Sequence, residues 1–110
     1  MDNMTPAVPV ACDMAALDVA ERERRQALAD QIAAATEEVR EEADGYAFRC
    51  QAALLPVVAA FVGLERRCCP FFRFTLALEP DDGPLWLIIA GRVGVKAFLR
   101  AELGLEARAR

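Results

Sequence analysis

From Val19 to Ala43 the chain is rich in Ala, Glu, Arg and Gln, good helix formers, with apolar residues at Leu28, Ile32, Ala35 and Val39. Spacings of four, three and four put these on one stripe, which predicts an amphipathic helix over 19–43. Glu21 and Arg25 lie one turn apart on its wet side and are expected to pair. Asp44-Gly45 is read as its stop. The period then changes to two. Tyr46, Phe48 and Cys50 alternate with Ala47, Arg49 and Gln51, the pattern of a half-buried strand. A second helix follows, with Pro56 in its first turn. It carries Val57, Phe61, Leu64 and Cys68 on a buried stripe and Val58, Val62, Glu65 and Cys69 in the next row. Pro70 stops it.

Phe72, Phe74, Leu76 and Leu78 alternate as a strand, Pro80-Asp81-Asp82-Gly83-Pro84 turns the chain, and Leu85 to Ala90 returns as the other arm of a hairpin. Past Gly91-Arg92-Val93-Gly94, a short helix places Val95, Phe98, Leu99 and Leu103 inward and stops at Gly104. The order is α-β-α-β-β-α, which predicts an α+β fold with helices on one face of a small, mainly antiparallel sheet. Residues 1–10, with Pro6 and Pro9, are read as a flexible segment, 11–105 as the single domain, and 106–110 as a tail. There is no internal repeat.

Composition narrows the functional classes. A chain of 110 residues with 55% hydrophobic content can form one core. A net charge of −4 argues against nucleic acid as a partner. Of the thirteen basic residues only Lys96 is lysine, a bias that a GC-rich genome explains. The start Met-Asp-Asn-Met-Thr-Pro has no basic or apolar signal region, and the apolar run Ala52 to Leu64 is too short to span a bilayer. The expectation is a cytoplasmic protein, with cysteines free, metal-bound or catalytic and not crosslinked.

The chemistry concentrates at Glu65-Arg66-Arg67-Cys68-Cys69-Pro70-Phe71-Phe72. There is no histidine, so sulfur and carboxylate are the main tools. The helix C-terminus disfavours a thiolate, whereas Arg66, Arg67 and Arg73 favour one. Neighbouring Cα atoms about 3.8 Å apart are too close for a relaxed disulfide between Cys68 and Cys69. Both can serve one ion, with Cys12 in Val10-Ala11-Cys12-Asp13 as third ligand and Glu65, one turn before Cys69, facing the same pocket. Such a donor set suits mercury(II), copper(I) or zinc. Cys50, on the face of Tyr46 and Phe48, is read as core. Gly91-Arg92-Val93-Gly94 lacks the spacing of a phosphate loop, and no zinc motif of paired Cys-x-x-Cys exists.

Three stretches carry a resemblance: Asp44-Gly45-Tyr46-Ala47-Phe48-Arg49, Glu65-Arg66-Arg67-Cys68-Cys69-Pro70-Phe71-Phe72-Arg73-Phe74 and Gly94-Val95-Lys96-Ala97-Phe98-Leu99. Over roughly 11–104 the chain resembles small uncharacterised bacterial proteins with a Glu-Arg-x-Cys-Cys-Pro-Phe motif and an early cysteine set as in Ala11-Cys12-Asp13-Met14. The resemblance implies a small soluble protein linked with metal or mercury resistance. Cys50 lies outside that pattern, and Arg92 stands where proline is usual. The residues thus point to thiolate binding of a soft metal or metalloid ion by Cys12, Cys68, Cys69 and Glu65, for sequestration or transfer, with no organic cofactor. The alternatives are a thiol enzyme, redox or carbon–metal bond-cleaving, with Cys69 and Glu65 as its catalytic pair, or a structural or interaction module, a homodimer, whose cysteines are core. No membrane partner is expected.

Overall fold

The computed structural model describes residues 10–104, so the assignments of 1–9 and 105–110 lie outside the described residues. Helix α1 (Val19–Ala35), strands β1 (Glu38–Glu42) and β2 (Gly45–Cys50), helix α2 (Leu55–Cys68), strands β3 (Arg73–Leu78) and β4 (Leu85–Ala90), and helix α3 (Val95–Leu103) follow in order. The strands form one antiparallel sheet in the order β1-β2-β4-β3. This is the expected α+β architecture with one strand more than the sequence pattern showed.

The added strand is a correction. The first helix ends at Ala35, not Ala43, and 38–42 pairs with β2. Thr36 Oγ1 donates to the Ile32 carbonyl, and Glu37 N–H bonds the Arg49 carbonyl, so the chain leaves the helix directly into the ladder. Val39 opposes Phe48 across the sheet and does not continue the helical stripe. Asp44-Gly45 closes the β1–β2 hairpin, with Gly45 opposite Glu42. A Cβ at Gly45 would lie 2.0 Å from the Ile89 carbonyl oxygen, so close packing against β4 demands glycine there.

One sheet face is built from rows that the register aligns: Phe48, Leu87 and Leu76, then Tyr46, Ile89 and Phe74. Helices α1, α2 and α3 all reach this face, around a cavity of about 150 Å³ lined by Ala29, Ile32, Phe48, Phe61, Leu87 and Leu103 among others. Arg100 of α3 donates to the Tyr46 hydroxyl, and Lys96 pairs with Glu41. On the opposite face Arg40 stacks over Trp86. The β3–β4 turn is as expected, with Asp81 and Asp82 both at positive φ, tolerable for aspartate. No described helix is long and apolar enough to cross a membrane.

Candidate metal centre

Helix α2 turns Val58, Phe61, Glu65 and Cys68 inward at spacings of three and four. Glu65 is therefore a seam residue of the core, and Val57 and Leu64 sit beside the seam. The helix stops where Cys69 N–H bonds the Glu65 carbonyl, and Cys69 leaves the helical region at φ −125° before Pro70. This exit turns the Cys69 side chain back into the protein. Cys68 and Cys69 are both 0% exposed. The Cys68 sulfur lies 3.5 Å from Glu65 Oε1 and 3.8 Å from the Cys69 sulfur. The ligand atoms of Glu65, Cys68 and Cys69 all lie within 4.8 Å of one another.

Cys12 does reach the pair, but covalently. It forms a disulfide with Cys69, across 57 residues of sequence, with Cα atoms 4.6 Å apart. This corrects the expectation that the cysteines are not crosslinked, and it withdraws Cys12 and Cys69 as thiolate ligands in this state. The cause is a backbone contact that spacing could not reveal. Asp13 N–H donates to the Cys68 carbonyl at 2.7 Å, laying the N-terminal segment along the end of α2. The 3₁₀ turn Met14–Ala16 is held there by Arg22 on the Met14 carbonyl and Arg67 on the Ala16 carbonyl, and Leu17 is buried behind it.

The ion pairs also differ from expectation. Arg25 reaches across from α1 to Glu65, Nε to Oε1 at 2.5 Å, and packs over the Phe61 ring. Glu21, its expected partner, pairs instead with Arg67 at 2.6 Å while completing a capping box with Asp18. Arg73 pairs with Asp44, and Arg66 is exposed, so neither serves Glu65. Arg25 is thus the site residue that sequence reasoning missed. Its position on the α1 surface two turns before the buried Ile32 gave no sign of which carboxylate it would meet.

Burial raises the Cys68 thiol above its ordinary value of 9.0, the Glu65 carboxylate adds to this, and Arg25 opposes it. Cys50, in the core beneath the sheet, is raised chiefly by burial and then by Glu37. An unfolded chain therefore sheds these two protons before the folded one does. Their contribution to stability is full below about pH 9 and is lost as pH climbs through the raised folded values. Melting temperature should fall above pH 9, and Cys50→Ala should make that fall shallower in parallel thermal scans; unchanged slopes would remove the linkage.

The large apolar cavity holds no cysteine or carboxylate and offers a metal no ligand. Gly91–Gly94 contributes a bend in which Arg92 lies over Phe71. Protein-family models, curated proteins and solved structures give no match to this chain.

Proposed function

We propose that the reduced protein binds a soft metal or metalloid ion through Cys12, Cys68 and Cys69, with Glu65 as a further ligand or adjoining carboxylate. Sequestration or transfer in a reducing, cytoplasmic setting is the role this chemistry fits. The observation that carries the reading is the gathering of three sulfurs and one carboxylate at the end of α2, where the Cys12 sulfur is bonded to that of Cys69 and the other groups lie within 4.8 Å. Thiolates select mercury(II), copper(I) or zinc over hard cations, and the resemblance of the Cys-Cys-Pro-Phe run to small uncharacterised bacterial proteins linked with metal resistance is in keeping with the same choice. Arg25 offsets part of the negative charge that three thiolates and a carboxylate would bring.

Native mass spectrometry of the reduced Cys50→Ala protein, with the three ions in competition, should show one ion per chain. In that background the buried Cys50 thiol cannot contribute a second ion. Cys68→Ser and Cys69→Ser should each weaken retention strongly, and binding should release protons as thiols ionise. Retention unaffected by both serine variants would refute the site. A second reading, a thiol-redox enzyme, is favoured by the disulfide lying 3.8 Å from a third sulfur. It requires repeated turnover of a disulfide or peroxide substrate with a dithiol as reductant, which stoichiometric metal binding does not.

A further inference from the structure

We propose that the Cys12–Cys69 disulfide is a redox lock on this site, opened by an external dithiol that attacks the Cys12 sulfur. The proposal rests on the metal-binding reading and adds its regulation. In the locked state two of the three sulfurs are bonded to each other, and only the Cys68 thiol and the Glu65 carboxylate remain to meet an ion.

Access decides which sulfur opens. Cys69 is 0% exposed, whereas Cys12 is partly exposed at the edge of the N-terminal segment. A reductant thiolate therefore approaches Cys12 Sγ. The new bond forms there, the Cys12–Cys69 bond breaks, and Cys69 departs with the electron pair. The second thiol of the reductant then attacks its own sulfur in the mixed disulfide and releases Cys12. Two electrons and two protons pass from the dithiol, which leaves as a disulfide, to the protein, which gains thiols at Cys12 and Cys69. An external disulfide reverses the same steps.

The lock opens onto an assembled site because the disulfide is not what holds the segment in place. The Asp13–Cys68 backbone bond, the Arg22 and Arg67 contacts to Met14 and Ala16, and the burial of Leu17 all survive reduction. A bound ion would occupy both sulfurs and so oppose re-oxidation, as reciprocal coupling requires.

The test has two arms. In the first, without metal, the oxidised protein receives a short pulse of glutathione and is quenched with N-ethylmaleimide in denaturant, which makes the buried sulfurs accessible, before peptide mapping. Glutathione on Cys12 with maleimide on Cys69 is expected; the reverse labelling overturns the opening step. In the second, zinc, which has no redox chemistry of its own, is titrated by native mass spectrometry into oxidised and reduced Cys50→Ala protein. Losing outer-sphere partners alone costs metal sites 10–100-fold, so losing two ligands should weaken the oxidised form by more than about 100-fold. Equal binding by both forms removes the lock and leaves the metal site standing. Binding by neither removes the site itself and with it anything to lock. Circular dichroism of the reduced form should show the same fold, and its loss would also overturn the proposal.

Discussion

Reducing the Cys12–Cys69 disulfide, or replacing Cys12 by serine, is expected to lower the free energy of unfolding by about 4 kcal/mol. The bond closes 57 residues of chain, and its main effect is to restrict the unfolded ensemble, which grows with loop length. Domains of this size have about 5–15 kcal/mol in total, so the reduced protein should remain folded with a much smaller margin. Urea titrations with and without reductant give the difference directly. A shift below about 1 kcal/mol would mean that the unfolded chain already keeps Cys12 near Cys69. The reduced form should regain what it lost when an ion binds, since a ligand at a thousand times its Kd adds about 4 kcal/mol. Zinc should therefore move the midpoint of the reduced protein strongly and that of the oxidised protein little.

The elements that position this site were legible where a single periodicity governed them. The alternation in 46–50 and 85–90 specifies which side chains face the helices, and the register aligns those same residues in rows. The 19–43 pattern misled because Val39 fits both a helical stripe and a strand facing Phe48. Nothing local distinguishes the two; the partner strand decides. Asp44-Gly45 suits a helix stop and a hairpin equally, and the close approach of β4 settles it. At the site, Cys68, Cys69 and Glu65 were legible because one helix end presents all three. The disulfide was not, because Asp13 meets Cys68 from a segment far away in sequence. The exchange of partners among Glu21, Arg25, Glu65 and Arg67 has the same origin, since the α1–α2 contact offers Arg25 a buried carboxylate and leaves Glu21 to an exposed arginine across the helices.

Arg25→Met should destabilise the protein by about 2–3 kcal/mol, between the 3–5 kcal/mol of a fully buried broken pair and the near-zero value of a surface pair. The Glu65 side chain is 7% exposed and that of Arg25 is 18% exposed, so removing the arginine strands a carboxylate that water hardly reaches. The pairing is reflected in Arg25 itself, whose proton is held more tightly chiefly by the hydrogen bond to Glu65. Methionine keeps an unbranched apolar stem but removes the guanidinium that lies over the Phe61 ring, so the loss includes that cation–π contact as well as the ion pair. The double variant Arg25→Met with Glu65→Leu removes both charges and should be more stable than the sum of the two single changes predicts, by at least about 1 kcal/mol. Additive losses would show that the two side chains stabilise the core independently. The same variant separates structure from chemistry at the sulfurs. Arg25 lowers the Cys68 thiol against the larger effect of burial, so Arg25→Met should push that thiol higher, as read by thiolate ultraviolet absorbance in a pH titration of the folded protein in the Cys50→Ala background. A variant that loses stability yet keeps the wild-type thiolate titration while still folded would confine Arg25 to holding α1 against α2.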